Sequence, residues 1–479
     1  MKLIFTKSFF TLLLTYSLFL TNTFAADYYW VGGAGNWSDI NHWATTSGGS
    51  TLHPVVPSQN DNVIFDPNSG FLSGIPANRT VTLDVISNCQ NFTSVGALNS
   101  PIITGGTPNP LNVYGSMTLQ SGMTYNVSIT NFRSSVLGET ITTNGTVVAG
   151  YISFNGDGGW SFMDTYTSTG RINFEKGSLN TNSQVVNIQE FASSGNLSRN
   201  LILGSSVITT ISSGWEYVGS NAVLSAGTSH ILITGNLSDY SFYGVRGVLN
   251  HQYHHISFTN PTTTQGPFSG GLRVQKLIFM GKGRFYSGNN VIDTLVLSAG
   301  KTYTFQNGTT QTINYLLDAN APSCSGLIEM KSLTTASATI NFGTGATANI
   351  NNALIENLNA TGSIIPVSAI NSFDMGGNTG FIFPPASGIT LYWVGGSGSW
   401  NDANHWSTVN DGVYPPVGGG CVPTPLDDVV FNNNSGFLSG VPANRTITLD
   451  GVGHYCHDMT WVGALNSPII TGGTPNPLN

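Results

Sequence analysis

An all-β chain wound as a right-handed parallel β-helix is the fold this sequence predicts. Short β-branched runs recur with Gly, Asn and Ser close by and never alternate with helical patterns, which excludes a helical or α/β architecture. Short internal echoes recur as well: Val223–Gly227 and Val296–Gly300 both read V-L-S-A-G before another strand. Finally, the chain repeats itself at long range. Val95–Asn112 returns unchanged as Val462–Asn479, and Tyr29–Trp43 (YWVGGAGNWSDINHW) returns as Tyr392–Trp406 (YWVGGSGSWNDANHW). Copies lying about 365 residues apart mark a repeat protein, whose units stack on their neighbours instead of closing around one pocket.

The elements follow in order. Lys2 and Lys7, the largely apolar run Phe9–Leu20 and the small residues at Ala25 and Ala26 predict a secretory signal peptide over 1–25. No Cys follows the apolar run, which disfavours a lipid anchor, and no later stretch is apolar enough to span a membrane. Residues 26–60 carry the aromatic block and are expected to cap the N-terminal end of the coils, where unpaired strand edges would otherwise face water. Residues 61–385 are expected to form the β-helix. Its clearest early strands are Asn62–Phe65, Thr80–Leu83, Met117–Leu119, Tyr151–Phe154, Arg171–Phe174, Val185–Ile188, Asn200–Leu203 and Val207–Ile211. The stretch Pro384–Gly388 marks a boundary, and 386–479 begins a second repeat that stops before its coils are complete.

Composition narrows the function. Only 8% of the residues are charged, against roughly 25% in an average globular chain, yet 40% are hydrophobic and 11% aromatic. A folded chain is therefore expected. A formal charge of −8 with few Lys and Arg argues against nucleic acid, whose phosphates need cationic partners.

Six of the nine tryptophans lie in the two aromatic blocks, so their placement needs a cause. Buried, Trp37, Trp43, Trp400 and Trp406 would cap the core. Exposed, the same four would form a carbohydrate-binding platform, with indole faces stacked on pyranose rings. The cap reading is favoured because the block stands where a solenoid needs one.

Four cysteines follow the signal peptide, and four allow three pairings. Cys89 and Cys456 occupy equivalent places in the two copies, whereas Cys421 lies in a longer loop of copy two, opposite Val55. A Cys421–Cys456 bridge private to copy two is expected; reduced, buried thiols are the alternative. His251, His254 and His255, and His454 and His457 around Cys456, are possible zinc ligands. Adjacent His254 and His255 would point to opposite faces of a strand, however, and copy one has Ser87-Asn88-Cys89-Gln90-Asn91 in place of HYCHD, so no metal site and no cofactor are expected. The turns Asp66–Gly70 and Asn432–Gly436 do not keep a common carboxylate, which weakens a calcium reading. Asp427–Asp428 is the most suggestive carboxylate pair, but copy one reads Asp61–Asn62 there. Asp157 and Asp164 are close only in sequence. No nucleophile elbow, zinc-protease or phosphate-loop motif is present, and no catalytic residue is assigned.

At Y-W-V-G-G-x-G-x-W-x-D-x-x-H-W, followed by P-x-x-x-D-x-V-x-F (Pro57–Phe65 and Pro423–Phe431), the chain resembles a family of large, repetitive exported surface proteins of Bacteroidota and related bacteria. The coil segments at Gly177–Asn182, Leu203–Ser206, Ala226–Ser229 and Gly376–Phe381 are similar to β-helix segments of such proteins. The resemblance implies a secreted or cell-surface protein with an adhesive or matrix role, often exported by a type IX system. The C-terminal sorting domain of such proteins is not visible here. A non-catalytic scaffold presenting a polar face to glycans or other cells is the expected function, with further repeats of a longer protein as partners. A carbohydrate-active enzyme on the same fold and a glycan-binding module using the Trp block are the rivals, since fold alone carries no activity.

Overall fold

The computed structural model describes residues 25–235, 242–243, 252–262, 267–269, 271–322, 324, 326–450, 453–472 and 477–479. The expected signal peptide and His251 lie outside them, apart from Ala25. The chain is all-β, and its stacked parallel sheets form a β-solenoid. Helix is confined among the described residues to three-residue 3-10 turns, such as Ile40–His42 and Ala403–His405. None is long and apolar enough to cross a membrane.

Contacts group the chain into two compact units, one of residues 1–192 with 197–206, the other of 193–196 with 207–479. In the first, one sheet passes from Asp27–Trp30 to Asn62–Phe65, Phe92–Ser94, Met117–Thr118, Glu139–Thr142, Gly159–Phe162, Gly177–Asn180 and Arg199–Ile202, each strand parallel to the one before. A second face stacks Val81 on Ile103, Ile103 on Tyr125 and Tyr125 on Val148. Strands stand at every expected early position, though with other bounds in places: Tyr151–Phe154 sits within Val148–Phe154 and Val207–Ile211 within Val207–Tyr217, while Met117–Leu119 shortens to Met117–Thr118 and Asn200–Leu203 shifts to Arg199–Ile202.

Alternation explains why these sequences form coils. Asn62–Phe65 and Thr80–Leu83 each bury every second side chain, because successive side chains of a strand point to opposite faces and only one face meets the core. Parallel register then places like residues one above another. Phe132, Phe154 and Phe174 are opposed in successive coils. Outside the apolar stack, amides form ladders: Asn112 Nδ2 donates to Asn88 Oδ1 at 2.9 Å, and Asn131 Nδ2 to Asn112 Oδ1 at 2.9 Å. Amide ladders of this kind satisfy side chains that a charge would leave repelling its own image in the next coil.

In the second unit, Ile233, Phe258, Phe279 and Leu297 stack in register along His230–Ile233, Gln252–Phe258, Arg273–Phe279 and Asn290–Leu297. The second aromatic block belongs to this unit, so contacts do not divide at Pro384–Gly388. His230 and His255 are opposed in register, with ring centroids 3.7 Å apart, and both reach the Ser257 hydroxyl. Burial, then the neighbouring His230, Lys276 and His254, push His255 down to about 4; burial, His254 and Lys276 lower His230 as well. Both rings are therefore neutral at pH 7. In the unfolded chain they take protons near 6.5, so stability that is full above that value is lost as pH falls toward 4. The melting temperature of the second unit should drop over that window, and His255→Gln should flatten the slope. An unchanged slope in the variant would remove His255 as the cause.

Candidate functional site

The two aromatic blocks fold alike, and the geometry accounts for most fixed letters of the motif. Trp30 donates from Nε1 to the Gly33 carbonyl at 2.6 Å, as Trp393 does to Gly396 at 2.6 Å. Trp43 donates to the Trp37 carbonyl at 2.9 Å and Trp406 to that of Trp400 at 2.7 Å. Trp30 and Trp43 cross edge to face at 4.8 Å, Trp393 and Trp406 at 4.9 Å. Asp39 and Asp402 each cap a 3-10 turn by accepting from the backbone N–H two residues on. That turn returns His42 and His405 onto the first indole, stacked at 4.5 and 4.7 Å. Gly35 and Gly398 are required there, since a Cβ would lie 2.1 or 2.0 Å from the imidazole Nε2.

Trp37, Trp43, Trp400 and Trp406 all have 0% exposure. An enclosed indole offers no face to a sugar, so the platform reading of these four is corrected: they pack the core. The disulfide expectation is corrected too. Cys421 is bonded to Cys324, and Cys456 and Cys89 are free. Copy comparison could not find this pairing, because Cys324 belongs to a coil with no counterpart in the second block.

The carboxylates singled out in the sequence have structural partners. Asp427 is buried and accepts from the N–H groups of Ile389 and Thr424 and from the Thr424 hydroxyl, just as Asp61 accepts from Ala26 and Ser58. Both clamp the loop that leads into a strand. Asp157 pairs with Lys176 at 2.9 Å, while Asp164 caps the Thr143–Asn144 turn. Asp66 and Asn432 both accept from the backbone N–H two positions on, so Asp and Asn fill the same role in that turn. Asp428, His457 and Asp458 gather at the surface, with His457 Nδ1 2.9 Å from Asp428. The counterparts of Asp428 and Asp458 in copy one form a neutral pair, Asn91 Nδ2 donating to Asn62 Oδ1 at 2.8 Å. The hydrogen bond to Asp428, aided by the charges of Asp458 and Asp428, raises His457 above its ordinary value.

The second unit holds a cleft of about 550 Å³ between the coils at Gly300–Thr302 and Cys324–Glu329 and one flank of the second aromatic block. Lys301, Glu329, Asn401, Ala403, Asp450 and Tyr455 line it. The half-buried Tyr455 hydroxyl lies 3.4 Å from Glu329 Oε1; burial and the Glu329 charge push its pKa far up, so the phenol keeps its proton. Glu329 Oε2 also accepts from the Thr302 hydroxyl at 2.9 Å and faces Lys331 Nζ at 3.6 Å. Asp450 accepts from the Ser399 hydroxyl, and its carbonyl takes the Asn401 amide at 2.6 Å. Fully buried His454 reaches the same carbonyl at 2.8 Å and braces that wall. Cys324, bonded to Cys421, also lines the cleft. Sequence reading missed Glu329, Asp450 and Tyr455 as a group because they lie far apart along the chain. The visible signal was that copy two departs from copy one at HYCHD and at Ala403. Compared with known proteins, this chain matches no family model, no curated protein and no solved structure.

Proposed function

We propose that the protein is an exported cell-surface scaffold with an adhesive role, built of repeats and presenting a polar face to glycans or other cells. The observation that carries this reading is the duplication of one closed aromatic core at matching distances in both blocks. A packing unit that satisfies its own indole and imidazole groups can recur along a chain without a unique partner, as repeat scaffolds require. The leader sequence supports export, and the Cys324–Cys421 bond suits an oxidising compartment. Amide ladders on the outer faces supply donors and acceptors suited to hydroxylated polymers.

A second reading, a carbohydrate-active enzyme, is favoured by one observation: Glu329 and Asp450 line the same cleft, and paired carboxylates are the usual means of glycoside hydrolysis. Depletion of the purified mature chain by insoluble polysaccharides, with reducing ends counted in the same tubes, separates the two. Retention without new reducing ends is expected. New reducing ends would establish the enzyme reading, and failure to be retained would sink the adhesive one.

A further inference from the structure

We infer that the cleft beside the second aromatic block is a binding site for a short, uncharged oligosaccharide; this deepens the adhesive reading and rests on it. The argument comes from where the two copies differ. They are identical over Val95–Asn112 and Val462–Asn479 and nearly so across the aromatic block, yet several of their differences fall on this one wall. Ile40 and Ile86, both exposed in copy one, correspond to Ala403 and Gly453. The register is fixed by structure: Ser87 pairs with Leu111 in copy one, and His454 bridges Leu478 in copy two. Removing two branched side chains opens the space, and Tyr455 then enters it at the place of Asn88. Its ring lies so close to Gly453 that a Cβ there would approach it to 2.4 Å.

The chemistry of the wall selects the ligand. Glu329 and Asp450 are acceptors that repel polyanions, while the Lys301 ammonium, which gives one N–H to the Pro261 carbonyl, has others to donate. A phenol ring at half exposure provides an apolar face edged by a hydroxyl. Acceptor carboxylates, an ammonium donor and one aromatic face together suit a molecule with many hydroxyl groups and a flat C–H surface, which is a sugar ring. The volume falls within the range of sites that enclose small ligands, and such sites favour junctions of this kind.

The experiment restores the residues of copy one. Ala403→Ile and Tyr455→Asn place in the second block side chains that the first block already carries in the same fold. Calorimetric titration of the whole mature chain with soluble cello-, xylo-, manno- and chito-oligosaccharides should detect binding of at least one, weakened about tenfold or more in each variant at unchanged melting temperature. Tyr455→Phe, which removes only the hydroxyl facing Glu329, should weaken it several-fold and serves if a restored residue disturbs folding. Equal affinity in the variants, or retention on insoluble polysaccharide with no oligosaccharide bound, overturns the cleft and leaves adhesion standing. Oligosaccharide binding that the variants abolish, without retention on any polymer, supports the cleft and removes adhesion. No binding of either kind removes both.

Discussion

Trp37→Ala should destabilise the first unit by about 3–5 kcal/mol, the cost of truncating a large buried aromatic, and should leave any glycan retention unchanged in kind. Trp37 meets Trp43 edge to face at 4.8 Å, and its equivalent Trp400 meets Trp406 at the same distance, so Trp400→Ala should weaken the second block by a similar amount. A finer test uses the indole nitrogens. Nε1 of Trp37 and of Trp400 is buried without a hydrogen-bond partner, whereas Nε1 of Trp43 donates to the Trp37 carbonyl. Trp37→Phe discards an unsatisfied donor and should cost clearly less than Trp43→Phe, which leaves a buried carbonyl orphaned. Urea unfolding followed by tryptophan fluorescence measures both. A Trp37→Ala protein as stable as the parent but no longer retained by glycans would return the indoles to a binding role.

Opening the Cys324–Cys421 bond should have the second large effect. The two residues are 97 apart in sequence, and on the chain-entropy account closing a loop of that size restricts the unfolded chain by about 4–5 kcal/mol. Measured losses are commonly smaller, so Cys324→Ser with Cys421→Ser should lower stability by about 2–4 kcal/mol and loosen the second aromatic block first. Cys456→Ser should do little by comparison, and that contrast is diagnostic: a loss on replacing Cys456 that matches the loss on replacing Cys421 would mean that the bond joins those two. Peptide mapping under non-reducing conditions gives the pairing directly.

Much of this fold is legible in the sequence because its physics is local. Asn62–Phe65 and Arg171–Phe174 announce themselves as short runs with β-branched residues, and the structure buries every second side chain, which is what a coil wall demands. Gly35 is different. It looks like one more turn glycine, but its cause is the His42 ring that the chain brings back onto Trp30, a contact that only the folded turn creates. Cys324 is different again, since nothing near it in sequence points to Cys421. The cleft stands between these cases. Glu329 and Asp450 come to one cleft only through the winding of the coils, yet Ala403 and Tyr455 were already visible as places where one copy had departed from the other. Two copies in one chain act as a control experiment: what they share reports packing, and what they do not share reports surroundings.

The amide ladders carry a consequence for the conditions under which this protein can work. Asn88, Asn112 and Asn131, and again Asn320, Asn351 and Asn371, hold neighbouring coils through dipoles and not through net charge. Dissolved ions screen charges over about 10 Å at 0.1 M and shorter distances in brine, but an amide pair in contact at 3 Å offers them almost nothing to screen. A wall knitted in this way is indifferent to whether it stands in fresh water or in the sea.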